Sequence, residues 1–145
     1  MLREDERQYV RNARVGRLAT ADGKGRPNVV PVCFALLEGH VVTPVDEKPK
    51  RVDPEDLRRI RDLEENPRVA LVVDHYAEDW SRLGWVQIRG TATCRQSTEP
   101  GHDTAVSALR EKYEQYDDHD LENRPLVWIT PSSVLSWGDL ERRGP

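Results

Sequence analysis

The hydrophobic and polar positions of this chain fall into short blocks whose period changes several times. From Glu4 to Ala13 the apolar residues Tyr9, Val10 and Ala13 form a stripe among charges, which predicts a short helix. Val15 to Thr20 alternates as a strand, and Asp22-Gly23-Lys24-Gly25-Arg26-Pro27 carries the glycines of a tight turn. Val29 to Leu37 is a nearly unbroken apolar run. His40 to Val45 follows it across Glu38-Gly39, so a meander of three strands is expected. A helix comes next, with Asp53 as its cap, Pro54 in the first position and Glu55 and Asp56 complementing its dipole. Leu57, Ile60 and Leu63 recur along it until Asn66-Pro67 stops it.

Val69 to Val73 then reads as a buried strand, and a loop from Asp74 to Gly84 carries His75, Tyr76, Asp79 and Trp80. Trp85 to Arg95 is the most informative strand. Val86, Ile88, Gly90, Ala92 and Cys94 share one small, apolar face, which suits a barrel interior. Trp85, Gln87, Arg89, Thr91 and Thr93 share the other, which suits an interface or a ligand wall. A second helix is expected from Asp103 to Tyr116, with Ala105, Val106, Leu109 and Tyr113 inward. Pro125 to Thr130 and Ser133 to Trp137 read as two closing strands. Short hairpins dominate, so the fold class is mainly β (α+β), with a largely antiparallel sheet that closes or nearly closes.

Length and charge narrow the function classes. The 145 residues make one domain, 1–145, and a net charge of −4 with both signs interspersed gives no nucleic-acid signal. Met1 to Arg7 has no apolar signal-peptide core, and no run reaches the roughly 20 apolar residues of a membrane span. Cys33 and Cys94 lie in apolar runs and are expected to be reduced, which places the protein in the cytoplasm.

Two features could carry chemistry. Lys48, Lys50, Arg51, Arg58, Arg59 and Arg61 cluster around the start of the central helix. Such a cluster is either a phosphate site or a solvated helix face balanced by Asp53, Glu55 and Asp56. Trp80 and Trp85 flank Ser81-Arg82-Leu83-Gly84 and suit either stacking on a flat heteroaromatic ring or anchoring of a core or interface. His75, Asp79 and Ser81 have the residue types of a hydrolase triad, but no Gly-x-Ser-x-Gly elbow accompanies them. The four histidines and two cysteines lack metal-ligand spacing.

Several segments, taken in order, resemble the pyridoxamine 5′-phosphate oxidase-like split-barrel family. They are Val15-Gly16-Arg17-Leu18-Ala19-Thr20, then Gly25 to Phe34, then Arg58 to Ala70, and Val86-Gln87-Ile88-Arg89-Gly90-Thr91-Ala92. Asp46-Glu47-Lys48-Pro49-Lys50 and the loop Asp74 to Arg82 resemble the branch of that family that depends on the deazaflavin coenzyme F420. The resemblance implies a single flavin- or deazaflavin-binding domain, a six-stranded split barrel and a homodimer with two cofactor sites at the subunit interface. It places Thr43 beside the cofactor phosphate and matches Arg58 and Arg59 to the family's phosphate-binding pair. Lys48 and Lys50, in an insertion, supply or replace that contact, and the backbone of Val30, Pro31 and Val32 lies along the ring. The chain departs from true pyridoxamine phosphate oxidases in lacking an arginine-rich second strand and a long C-terminal substrate segment, which argues against pyridoxal phosphate synthesis.

The expectation is an oxidoreductase that binds F420, or FMN, and transfers a hydride to or from a small organic substrate. Trp80 or Trp85 would lie near the ring, and His75 and Tyr76 are the candidate proton donors. The alternative is a non-catalytic flavin or haem carrier on the same barrel. Neither nucleic acid nor membrane is an expected partner.

Overall fold

The computed structural model describes residues 1–45 and 58–141. The first helix, α1 (Glu4–Asn12), begins where the sequence pattern puts it. Its first turn holds Glu4, Asp5 and Glu6 against the positive end of the helix dipole, and Glu6 accepts a hydrogen bond from the Arg3 amide at 2.8 Å. Tyr9 and Val10 face inward. The strands β1 (Gly16–Ala21), β2 (Pro27–Val32), β3 (Ala35–Leu37) and β4 (His40–Pro44) follow. Then come α2 (Arg58–Glu65), β5 (Arg68–His75), β6 (Gly84–Arg95), α3 (His102–Lys112) and β7 (Leu126–Gly138). The expected start of the central helix at Asp53, and Lys48, Lys50 and Arg51 with it, lies outside the described residues. Among those described, no helix is long and apolar enough to cross a membrane.

Among the described residues seven strands form one sheet in the order β2-β1-β5-β6-β7-β4-β3, and every pairing is antiparallel. The two edges of this sheet, β2 and β3, are joined in sequence by only Cys33 and Phe34. The three Cα–Cα steps from Val32 to Ala35 span at most about 11 Å, so the sheet must curl until its edges nearly meet, and the result is a split barrel.

The apolar run from Val29 to Leu37 is therefore two strands, where the pattern predicted one. Its first half pairs with β1 and its second with β4, across the open seam of the barrel. The bend falls at Phe34, whose ring is fully buried. No neighbouring strand serves the Phe34 backbone. The Tyr113 hydroxyl accepts from the Phe34 amide at 3.1 Å and lies within donating distance of the carbonyls of Arg14 (2.8 Å) and Phe34 (3.1 Å). Tyr113 is free to do this because α3 stops at Lys112, short of the predicted Tyr116, and the chain turns extended at Tyr113 (φ −126°).

The two predicted closing strands are instead one, β7. A bulge at Ser132 carries it past the interruption, since Arg89 opposes Ser133 while Gly90 opposes Pro131. The bulge brings the β7 backbone onto Gly90, where an added Cβ would lie 2.1 Å from the Thr130 carbonyl oxygen. One strand gained and one lost against the pattern leaves seven strands, one more than the six of the resembled barrel. β6 alternates as the sequence predicts, with Val86, Ile88, Gly90 and Ala92 buried and Arg89, Thr91 and Thr93 exposed.

The barrel interior holds Leu18, Phe34, Leu71, Val86, Ile88 and Ile129, closed off by Tyr9 and Val10 of α1 and Ile60 and Leu63 of α2. A second cluster lies outside the seam, where Ala105, Val106, Leu109 and Tyr113 cover Ala35, Val42, Leu126 and Trp128. The thiols of Cys33 and Cys94 are free.

The corner gives a direct test. Tyr113→Phe keeps the ring and its packing but leaves buried backbone groups at Phe34 unsatisfied. It should lower stability by about 1–3 kcal/mol, read by urea denaturation. An unchanged denaturation midpoint would contradict this role.

Candidate functional site

The strand expected to carry the cofactor ring is a sheet edge. Among the described residues β2 pairs only with β1, so part of its backbone faces away from the sheet. Val32 is buried and Val30 half-buried against the core, while Pro31 is exposed. Thr43 is fully buried, and its hydroxyl donates to the Cys33 carbonyl at 2.7 Å. It thereby ties β4 to the far end of β2, a use of the side chain that the sequence does not announce.

The two arginines that open α2 diverge. Arg58 reaches the Pro27 carbonyl at the start of β2 (3.4 Å) and the Asp62 carboxylate (3.7 Å). Arg59, half-buried, donates to the Pro44 carbonyl at the end of β4 (3.2 Å). Neighbouring residues of one helix thus bridge two strands that stand at opposite sides of the sheet order. Asp62 is held on the barrel side by the Thr20 hydroxyl at 2.9 Å. Beyond Arg58 lies a charged cleft lined by Asp22, Arg26, Arg58, Arg61, Asp62 and Glu65. The Asp22 carboxyl there is drawn down to about 2, chiefly by the backbone amide of Arg26. Lys48 and Lys50, the other expected phosphate contacts, lie outside the described residues.

The loop after β5 is pinned. The His75 ring spans it, with Nδ1 2.8 Å from the Tyr9 hydroxyl and Nε2 against the Arg82 carbonyl. A carbonyl only accepts, so Nε2 carries a proton, and in the neutral ring Nδ1 accepts a hydrogen bond from the Tyr9 hydroxyl, which also lies within donating distance of the Gly84 carbonyl at 3.2 Å. Burial, with the Asp74 charge in second place, pushes the Tyr9 phenol up to about 12 and keeps it a donor. Further along, Asp79 accepts from the Ser81 amide (3.1 Å) and hydroxyl (2.7 Å), and these bonds lower its pKa. Of the three triad residue types, His75 therefore faces α1, and Asp79 and Ser81 cap a 3₁₀ turn at Trp80–Arg82. Both His75 nitrogens are used within the fold. Tyr76 is exposed, and its hydroxyl accepts from Trp80 Nε1 at 3.4 Å.

This scaffold displays aromatic rings. Trp80 is 69% exposed, and Trp85 opposes Trp137, itself 54% exposed, across the β6–β7 pair. Trp137 escaped the sequence reading because only strand register puts it beside Trp85. The same outer face runs over five strands through the row Pro31, Arg17, Val72, Gln87 and Leu135, and the row Val29, Ala19, Ala70, Arg89 and Ser133. Val29, Leu135 and Trp137 are exposed on it. Trp85 lies three strands from β2, roughly 14 Å at the usual strand spacing. Within one chain the tryptophans and the β2–Arg59 region do not form a single site. Among the described residues, no group of three or more His, Cys, Asp or Glu side chains could hold a metal ion.

The curled antiparallel sheet with its flanking helices defines a split barrel. Residues 2–138 match the family described as pyridoxamine 5′-phosphate oxidase, and the chain belongs to that family. Among solved structures it is similar to HutZ, the haem storage protein from Vibrio cholerae, at 18% identity and a TM-score of 0.73, covering 93% of this chain and 94% of that one. A haem-binding protein from Mycobacterium smegmatis matches at 20% identity and a TM-score of 0.72, over 98% of this chain and 57% of that one. An F420 reductase matches at 18% identity and a TM-score of 0.63, over 92% and 98%. At such identities the likeness establishes the fold. No curated protein matches the chain.

Tyr9→Phe should release the loop without unfolding the barrel. Amide hydrogen exchange of residues 76–83 should accelerate several-fold while that of β6 stays slow, and equal exchange in both proteins would show that the His75 staple does not hold the loop.

Proposed function

We propose that this chain is a redox protein that binds coenzyme F420, or FMN, with the ring along β2 and the phosphate at Arg59, and serves hydride transfer with a small organic substrate. The observation that carries this reading is the divergence of Arg58 and Arg59 toward β2 and β4. It sets two permanent cations, each within reach of a different strand, at the seam where an exposed strand edge offers backbone hydrogen bonds. A guanidinium pair beside a free edge fits a ligand with a phosphate at one end and a flat polar ring at the other.

When bound, the flavin or deazaflavin supplies the hydride chemistry. The protein's part is binding, orientation and the exclusion of water. Arg59, half-buried, would hold the phosphate. The free edge of β2 along Val30, Pro31 and Val32 would lie against the ring, and Pro31, which has no amide hydrogen, would offer it an apolar surface. Tyr76, whose side chain is exposed, would give a proton to product, with His75 engaged in the loop.

The reading requires a second copy. Exposed Val29, Leu135 and Trp137 on a five-strand face are the kind of patch a dimer covers. Pairing two such faces would bring Trp80, Trp85 and Trp137 of one chain toward β2 of the other, across the 14 Å or so that separates them within one chain. Sedimentation at micromolar concentration should give twice the chain mass, and a monomer that binds cofactor with full affinity would remove the interface site.

Arg59→Ala should weaken FMN and F420 binding by one to two decades, which corresponds to about 1.5–3 kcal/mol for a charge-assisted contact. Arg58→Ala should cost less, because Arg58 is solvated and shared with Asp62. Both are read by quenching of tryptophan emission. Affinities within about twofold of the parent for both variants would make the pair a solvated helix face.

Haem carriage is the second reading, favoured by the haem-associated names of two structural relatives. His75 and His102 each hold a backbone carbonyl, of Arg82 and Arg124, so axial ligation would fall to His40 or His119. A Soret band on adding haemin that is lost in a His40 or His119 variant, with no FMN or F420 binding, would establish that reading over the first.

A further inference from the structure

The corner that closes the barrel carries an unexplained cation. Lys112 is the last residue of α3, where a lysine ordinarily reaches water or one of the terminal helix carbonyls. It does neither. Its Nζ is buried and has no hydrogen-bond partner among the described residues. The ammonium stands 4.0 Å over the Phe34 ring and 5.3 Å from the Tyr113 ring. The Arg14 guanidinium lies 4.6 Å from the centre of that same Tyr113 ring. Two cations therefore share one aromatic ring, with no ion pair to Lys112 or Arg14 among the described residues. Aromatic faces stabilise a cation far less than burying an ammonium without a counter-charge costs.

We propose that Lys112 and Arg14 form an anion site that takes a phosphate or carboxylate group at the closed corner of the barrel. Arg14 is exposed and opens the site to solvent, while Lys112 forms its floor. The anion supplies the counter-charge and accepts the Lys112 N–H bonds that no described residue accepts. The site stands at the far end of β2, beyond Val32, and does not depend on the cofactor reading.

The protonation of Lys112 agrees with this. Burial, and then the Arg14 charge, draw its amine down to about 8. The other groups facing it are the Cys33 thiol, whose ionisation would favour the ammonium, and the Tyr113 phenol, which burial raises and keeps neutral. Arg110, on the same helix, is engaged by Glu122 at 2.9 Å. An anion favours the charged amine, so binding raises the Lys112 pKa. By linkage, affinity for the anion falls as pH rises through about 8.

The test is NMR titration of the Lys112 amine with inorganic phosphate, and in separate arms with FMN and with riboflavin, which lacks the phosphate. A rise in the Lys112 pKa with phosphate alone, with affinity reduced one to two decades in Lys112→Met and also reduced in Arg14→Gln, establishes a site for free anions. A rise with FMN but with neither phosphate nor riboflavin assigns the site to the cofactor's own phosphate. Arg59→Ala would then leave FMN affinity intact while Lys112→Met lowers it, which separates this inference from the phosphate assignment at Arg59. Methionine preserves the stem over Phe34, and Arg14→Gln alters an exposed residue, so loss of binding is not loss of fold. Cys33→Ser should leave the pH dependence in place. A Lys112 pKa unmoved in every arm overturns the proposal.

Discussion

The fold depends on joining the two edges of one sheet through Cys33 and Phe34. Two residues cannot bridge an open seven-stranded sheet, so the connection forces curvature on every strand between β2 and β3. The cost of the bend is a buried backbone with no strand to pair with, and two side chains remote in sequence offset it. The Tyr113 hydroxyl serves Phe34, and the Thr43 hydroxyl serves the Cys33 carbonyl. The remaining irregularities are consequences of that closure. α3 ends early so that Tyr113 can turn inward, and the Ser132 bulge accommodates curvature in the longest pair of strands.

Closure also brings together the elements of the proposed site. It sets the start of β2 and the end of β4 close enough for consecutive arginines of α2 to touch both, and it leaves β2 with one unpaired edge. The aromatic residues lie elsewhere, at the end of β5, β6 and β7, on a loop held by His75, Tyr9 and Asp79. Trp80, a large apolar side chain, is held 69% exposed on this tied loop. The separation of these regions within one chain is the physical reason for reading the site as shared between two copies.

How much of this was legible in the sequence varied with the kind of information required. The two faces of β6 could be read because alternation is local and Gly90 interrupts nothing in it. The break at Phe34 could not, since an unbroken apolar run has the same appearance whether it continues straight or changes partner. The merger of the last two strands was hidden by Pro131, which reads as a terminator but sits in a bulge. At the site, the basic cluster and the family resemblance drew attention to Arg58 and Arg59 but could not show that they point apart. His75 offered the chemistry of an acid, and only its two partners, Tyr9 and the Arg82 carbonyl, disclosed a structural role. Trp137, Lys112 and Arg14 gave no local signal, because each owes its interest to a neighbour distant in sequence.

The central claim is that a phosphate-bearing redox ring is held at the seam between β2 and α2. The most direct measurement is a crystal structure of the protein soaked with FMN or F420. The account predicts ring density along Val30, Pro31 and Val32 and phosphate density within hydrogen-bonding distance of the Arg59 guanidinium. Well-ordered cofactor density away from β2, with Arg59 still bonded only within the protein, would contradict it.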